Sequence, residues 1–254
     1  STVVHSTAAW VALAAIIILG ARKDRFDDNN NPISINGHSS VLAFMGTIIL
    51  LIGWIGFNAG AIKPEAPELP QIIANTIVAA SFGATAGMVL GFVVDRGIFK
   101  PMATITGLLG GLVAVTAGVS VISISGAALI GMAGGSIAII GSYFMANVLK
   151  LDDPLDVVPV HGFAGVSGTL LLVFLSNESQ LLNGSRVDQL FVQLEGVGIN
   201  FAWSFGLAFV FLTILNRISK IRVTEDEEYL GLNAAEHGVT LGVDKLRMAI
   251  EKTI

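Results

Sequence analysis

Long uncharged stretches, separated by short charged clusters, dominate the pattern of polar and apolar positions along this chain. Seven stretches approach or exceed the roughly 20 residues that an α-helix needs to cross about 30 Å of hydrocarbon. They cover residues 1–21, 39–62, 70–94, 102–119, 125–149, 155–175 and 190–215. We therefore predict an all-α polytopic membrane protein, with a transmembrane helical domain at residues 1–216 and a tail at residues 217–254.

Composition and charge support this prediction. Only 13% of the 254 residues are charged and the mean hydropathy is +0.77, whereas a soluble domain averages about 25% charged residues. If the tail is cytoplasmic, the inner loops hold nine Lys and Arg residues and the outer loops hold two. This positive-inside bias predicts a multi-pass protein with a cytoplasmic C-terminus and with residue 1 on the outer side.

Other features narrow the classes of function. The chain has no cysteine, which excludes disulfides, a thiol nucleophile and a thiolate metal site. Basic runs with interleaved aromatics are missing, so nucleic acid is not indicated as a partner. We predict no cofactor and no metal site.

Glycines recur at a spacing of three or four in the predicted spans. Examples are Gly53-Gly56-Gly60, Gly83-Gly87-Gly91, Gly107-Gly111 and Gly131-Gly135. Helices in lipid gain much of their association energy from close backbone approach. The pattern therefore predicts tightly packed helices.

Two histidines inside the spans are the strongest candidates for chemistry. His5 lies in Val4-His5-Ser6-Thr7-Ala8-Ala9, and His161 lies in the similar Val160-His161-Gly162-Phe163-Ala164-Gly165. Ionisable groups inside spans are costly and usually face the bundle interior, although a lone buried histidine is often only structural. Two neutral imidazoles side by side can hydrogen-bond and share one proton. The matched settings favour a functional pair at the interface of two repeats.

Further candidates lie near the second and sixth spans. Trp54 and Phe57 are three residues apart and share a helix face, where they either offer π-faces to a cation or pack in the core. Asp153 is expected to cap the sixth helix. Asp156, five residues before His161, is expected one turn deeper, where it holds backbone or threonine donors.

One enzymatic alternative stays open. Gly165-Val166-Ser167-Gly168 fits the G-x-S-G pattern of intramembrane serine proteases. No later histidine within the spans is available as a base, and His161 lies nearly opposite Ser167 on an ideal helix. His38 and His237 lie in a loop and the tail and are expected to be solvated.

Four motifs, taken together, closely resemble the ammonium transporter (Amt/Rh) family, on its Amt side. They are Thr2-Val3-Val4-His5, Gly53-Trp54-Ile55-Gly56-Phe57-Asn58-Ala59-Gly60, the stretch from Asp152 through Asp156 to His161-Gly162, and the tail from Arg222 to Gly238. They occur in the family's order and cover residues 1 to about 238.

The resemblance implies an eleven-helix inverted repeat in which the seven spans are the fifth to the eleventh helices. It implies a homotrimer with one pore per subunit that carries ammonium or ammonia, and therefore no enzyme. His5 and His161 would be the twin pore histidines, Phe57 would close the outer vestibule, and Trp54 and Val157 would line the pore. Asp156 completes the predicted substrate and pore residues.

The same resemblance leaves alternatives open. An ammonium sensor with little or no flux would use the same site. A PII-type regulatory protein or a fused cytosolic signalling domain would then act at the C-terminal tail. Two departures from the family matter: its first four helices are not in this sequence, and Ala61 replaces a vestibule serine that many members have. The segment 243–254 has the apolar spacing of a short amphipathic helix outside the membrane.

Overall fold

A computed structural model describes residues 1–60 and 62–239 of the chain as a helical bundle. Seven apolar helices form it, and they are listed with the two short helices of the tail: α1 Thr2–Leu19, α2 Ser40–Ala59, α3 Leu69–Val94, α4 Pro101–Val115, α5 Ile124–Asn147, α6 Val158–Leu175, α7 Arg186–Ile218, α8 Glu225–Leu230 and α9 Leu232–His237. No strand occurs in the described ranges; the two β-contacts there are isolated bridges. The all-α polytopic prediction is confirmed.

Six of the seven helices are long and apolar enough to cross a membrane, and α4 is a shorter apolar helix of 15 residues. The predicted fourth span is thus four residues too long at its C-terminal end. Residues 116–123 form the connection to α5, so the apolar stretches predicted at 102–119 and 125–149 are two separate helices. At 33 residues, α7 is about 50 Å long, which exceeds the about 30 Å hydrocarbon thickness.

Local signals explain where several helices begin. The side chains of Ser39, Ser123 and Ser185 each accept a hydrogen bond from a backbone N–H of the helix that follows, which satisfies one of its free N-terminal donors. Proline opens α3 and α4, where a missing N–H costs nothing. At the other end of α1, Gly20 adopts a φ of +76°, a conformation that glycine takes without strain.

The core of the bundle is the close packing of α3, α4 and α5. A Cβ built on Gly107 would lie 2.5 Å from the carbonyl oxygen of Gly83 and 2.5 Å from the Cα of Gly87. One built on Gly135 would lie 2.8 Å from the Cα of Gly83. The predicted tight packing is therefore present here, because only glycine lets these backbones touch.

Within the described residues, α2 shows no such packing. Cβ atoms built on Gly53 and Gly56 would meet no other described atom within 4 Å. The physical reason is that α2 lies at the edge of the described bundle, where only 11% of an 18-residue apolar stretch of the helix is buried. Gly60 would meet only the backbone of its own helix.

The tail returns to the end of α1. The Arg222 guanidinium donates to the carbonyl oxygen of Leu19 at 2.8 Å and to the Glu228 carboxylate at 2.9 Å, and that carboxylate also accepts the backbone N–H of Lys23 at 2.7 Å. A capping box of Thr224 and Glu227 opens α8. The ends of α1 and α7 therefore lie on one side of the bundle, here called the tail side. The amphipathic segment predicted at 243–254 lies outside the described residues.

Candidate functional site

The two histidines predicted as a pair meet in the bundle. His5 lies in a π-helical turn, Thr2–Ser6, at the start of α1, and His161 lies in a second π-helical turn, Val158–Phe163, at the start of α6. Their Nδ1 atoms are 3.2 Å apart, and the ring planes differ by 22°. π-turns within α-helices are rare and are frequent at functional sites. The internal sequence repeat thus corresponds to a repeat of local structure.

The Nδ1–Nδ1 contact limits the protonation of the pair. One ring must donate its Nδ1–H and the other must accept at Nδ1. The donating ring, when neutral, keeps a free acceptor at Nε2, and the accepting ring carries its hydrogen at Nε2. His5 is 9% exposed, and its Nε2 has no hydrogen-bond partner among the described residues. The pair therefore offers one donor and one acceptor to a small polar molecule.

Aromatic rings continue the site from His5. Trp54 stacks on His5 with ring centroids 4.9 Å apart and planes 9° apart. Phe57 lies 5.7 Å from His5 and 6.1 Å from Trp54. Trp54 is buried, whereas Phe57 is 51% exposed. The two aromatics share one face of α2, as their spacing predicted.

Two threonines position this aromatic layer, and the sequence reasoning missed both. The Trp54 indole N–H donates to the Thr116 hydroxyl at 2.9 Å, and that hydroxyl donates to the carbonyl oxygen of Leu112 at 2.8 Å. The Asn58 amide in turn donates to the Thr76 hydroxyl at 3.0 Å. A hydroxyl at the end of an otherwise apolar helix was the available signal for Thr116. Phe57 and Thr116 also line a pocket of about 210 Å³ that reaches the first residues of α1.

Asp153 acts as the predicted cap. Its carboxylate accepts the backbone N–H groups of Val157 at 3.0 Å and Val158 at 2.8 Å. These contacts hold the half-buried Val157 immediately before α6 and fix the start of the π-turn that carries His161. The helix begins at Val158 rather than at the predicted Leu155, because residues 154–157 form the turn that the cap closes.

Asp156 is placed differently from the prediction. It does not lie one turn inside α6 but precedes the helix, with a φ of +53°. Its carboxylate accepts the hydroxyls of Thr106 at 2.9 Å and Ser142 at 2.7 Å, so the expected threonine donor is present. Asp156 lines a pocket of about 260 Å³ on the tail side, together with Arg25 and Lys100. No described contact joins it to the histidine pair.

An ion-pair cluster ties the start of α6 to the loop after α1. The buried Asp152 carboxylate accepts Arg22 at 2.7 Å and Arg25 at 3.0 Å. Burial alone would raise the pKa of Asp152, but the hydrogen bonds and positive charge of Arg22 outweigh that effect and lower it. The hydrogen bond to Asp152 in turn raises the pKa of Arg22. The cluster is therefore charged at neutral pH.

The remaining sequence candidates do not join the site. The Ser167 hydroxyl donates to the carbonyl oxygen of Ala164 in its own helix at 2.8 Å, so its proton is not held by a histidine base. His38 and His237 are exposed, as expected. Ala61 lies outside the described residues. Groups of three or more His, Asp or Glu side chains that could hold a metal ion do not occur in the described ranges.

The chain matches known proteins over most of its length. A family model described as Ammonium Transporter Family matches residues 1–241. Ammonium transporter Amt2 of Archaeoglobus fulgidus is 37% identical over 251 residues, which cover 93% of this chain and 53% of the relative.

Solved structures match as well. One titled Sensor Amt Protein has 38% sequence identity and a TM-score of 0.89, over 92% of this chain and 58% of that chain. Mep2 of Candida albicans has 27% identity and a TM-score of 0.76, over 88% of this chain and 51% of that chain. The chain spans about half the length of the curated relatives it matches.

Proposed function

Because the chain belongs to the Ammonium Transporter Family, we propose that the complete gene product carrying it moves ammonium or ammonia selectively across a membrane, through a pore centred on His5 and His161. The observation that carries this proposal is the contact between the Nδ1 atoms of the buried His5 and the half-buried His161, 3.2 Å apart and bordered by Trp54. The relatives are named as transporters, which agrees with a function other than catalysis.

The physical basis of selectivity is desolvation. Ammonium and potassium are both monovalent cations, and taking either charge from water into an apolar interior costs several kcal/mol or more. Ammonium can release a proton, cross as neutral ammonia and regain a proton on the far side, while the hydrogen-bonded His5–His161 pair passes the proton separately. The net transport then carries current, and potassium cannot follow this route. Neutral ammonia also has a lone pair that accepts the Nε2–H of one ring, and it can donate an N–H to the Nε2 acceptor of the other. The pair is thus suited to the neutral molecule.

The neighbouring residues have proposed roles in the same pathway. The π-face of Trp54 attracts a cation, and the half-exposed Phe57 closes the site toward the end at which Ser1 lies. Val157 lines the route beyond the histidines, and its backbone is held by Asp153. For Asp156 we propose a supporting role on the tail side, because Thr106 and Ser142 occupy its carboxylate.

We propose a cell-membrane protein with a cytoplasmic tail, on the basis of the loop charges. A trimer and a regulatory partner at the tail, of the PII type or as a fused signalling domain, belong to the same proposal. Residues 1–216 would be the transmembrane domain and residues 217–254 the tail.

A second candidate function is ammonium sensing with little or no flux. The observation that favours it is the match to the structure titled Sensor Amt Protein, which has a TM-score of 0.89. A sensor and a transporter would share the histidine site and differ in whether ions or molecules leave on the far side. Current measurement separates the two functions.

The test is electrical recording on proteoliposomes with the double substitution His5→Ala and His161→Ala. We expect an ammonium-dependent current in the unmodified protein, none with potassium, and loss of this discrimination in the double variant. His38→Ala, which changes an exposed loop histidine, is the matched control and should leave the current unchanged. Ammonium binding without current would favour the sensor. Unchanged discrimination in the double variant would refute the twin-histidine pore.

A further inference from the structure

The two π-turns that carry the histidines also contact each other away from the imidazole rings. Ser6, the residue after His5, is fully buried, and its hydroxyl donates to the main-chain carbonyl oxygen of His161 at 3.3 Å. This hydrogen bond runs from one histidine turn to the peptide group of the other histidine. It is therefore placed to control where His161 stands relative to His5.

The packing around Ser6 is close and reciprocal. A Cβ built on Gly165, four residues after His161, would lie 2.9 Å from the Ser6 hydroxyl oxygen. A Cβ built on Gly162, the residue after His161, would lie 3.2 Å from the Cβ of Ala9, four residues after His5. Ser6 on α1 thus lies against Gly165 on α6, and Gly162 on α6 lies against Ala9 on α1. In both contacts, the residue after one histidine meets the residue four positions after the other.

These paired contacts leave α1 and α6 little freedom to slide along each other. Small residues let α1 and α6 approach closely at the crossing, but apolar contact alone permits shifts along the helix axes. A hydroxyl bonded to a carbonyl is directional, and it fixes one registration. Of the two positions that follow a histidine, only that of α1 carries a hydroxyl, since its counterpart Gly162 has no side chain.

We propose that Ser6 is a positioning residue, whose hydrogen bond to the His161 carbonyl sets the separation and tilt of the two imidazoles. This inference rests on the proposed function, because it concerns the geometry of that same site. Ser6 contacts neither ring nor substrate in this role; it acts through the backbone of His161. Its loss should therefore change selectivity and ring geometry more than the amount of folded protein.

The first experiment compares Ser6→Ala with the control Ser81→Ala in the complete gene product, reconstituted in proteoliposomes. The Ser81 hydroxyl is exposed and bonds only to Ile77 of its own helix. We expect Ser6→Ala to lower the ratio of ammonium to potassium flux by about two- to tenfold, the equivalent of one hydrogen bond. Ser81→Ala should leave the ratio unchanged. Ser6→Cys, which keeps a weak donor, should lie between Ser6→Ala and the unmodified protein.

The second experiment tests the route of the effect. Gly165→Ala places a methyl carbon 2.9 Å from the Ser6 hydroxyl oxygen, closer than van der Waals contact, so it should displace the hydroxyl and lower selectivity in the same way. If both changes act on one hydrogen bond, their effects will not add. We expect Gly165→Ala to have little further effect on the flux ratio once Ser6→Ala is present.

NMR spectroscopy tests the role of Ser6 without a flux measurement. ¹⁵N NMR of histidine-labelled protein reports which ring nitrogens carry hydrogen, and Ser6→Ala should alter the imidazole signals whereas Ser81→Ala should not. Full selectivity and unchanged imidazole signals in Ser6→Ala would overturn this inference. If substitution of His5 and His161 themselves leaves discrimination intact, the proposed function fails instead, so the two failures are distinguishable.

Discussion

Replacement of Gly107 by alanine should destabilise the bundle by overpacking α3 against α4. The added Cβ would lie 2.5 Å from the Gly83 carbonyl oxygen and 2.5 Å from the Gly87 Cα. Ordinary van der Waals contact begins at 3.4 Å, so the two backbones must separate by about 0.9 Å. Because both obstacles are main-chain atoms, no side-chain rotation can relieve the collision.

The magnitude follows from two opposing effects. Alanine gains about 1 kcal/mol over glycine from helix propensity, whereas overpacking of a filled core costs about 1–3 kcal/mol and occasionally more. With backbone on both sides, we take the upper end of that cost and expect a net loss of about 2 kcal/mol. In a chain of this size, such a loss lowers the melting temperature by roughly 4–8 °C.

The assay is thermal unfolding in detergent, followed by intrinsic fluorescence. Gly206→Ala on α7 is the matched control, because a Cβ there would meet nothing within 4 Å. That control should keep or slightly raise the melting temperature. Equal melting temperatures for the two variants would refute the reasoning that glycine is required at the contact of α3 with α4.

The remaining predictions concern the aromatic layer and the tail side. Thr116→Val should lower the unfolding free energy by about 1–3 kcal/mol in chemical denaturation, because the buried Trp54 N–H loses its acceptor. Asp152→Asn should speed proteolysis of the loop after α1, because Arg22 loses its ionic partner. The tail should leave the bundle as the pH falls through the pKa of Glu228, which lies below the ordinary glutamate pKa of 4.5. A fluorophore on a single introduced cysteine would report the release.

The first two of these predictions have control variants, and the third can be contradicted by the direction of its pH dependence. Thr85→Val removes an exposed hydroxyl that bonds within its own helix and should leave stability unchanged. Asp28→Asn, in the same loop as Arg22, should leave proteolysis unchanged. The backbone N–H of Lys23 and the Arg222 guanidinium lower the Glu228 pKa, so this stabilisation is present above pH 4.5 and is lost on acidification. Release of the tail on raising the pH from 5 to about 7 would contradict that sign.

The sequence alone predicted a large part of this protein, because membrane helices obey a simple length and polarity rule. Every unpaired backbone group in hydrocarbon is costly, so uncharged stretches of sufficient length must be helical. The bounds of α3 and α5 are within one to two residues of the prediction. The sixth span was less accurate, because Asp153 closes a turn that delays the start of α6 until Val158.

The histidine pair was predictable for a related reason. An ionisable residue in an apolar stretch needs a partner, and the matched settings of His5 and His161 indicated which one. Sequence periodicity could not indicate the hydroxyls that support the site. Thr116 and Ser6 act through contacts with residues at least 62 positions away along the chain, and no local pattern encodes such a contact.

The amino-acid sequence by itself determined that the helices suit a lipid environment, how many apolar helices there are, and which two histidines pair. Each follows from local composition and the cost of burying charge. The tertiary structure alone decided which glycines touch, where Asp156 stands and what holds each imidazole in place. Gly107 and Gly53 occur in similar glycine-rich stretches, yet a Cβ on Gly107 would collide with a neighbouring backbone and a Cβ on Gly53 would meet no described atom within 4 Å. The difference arises from the crossing of helices distant in sequence, which only the folded bundle specifies.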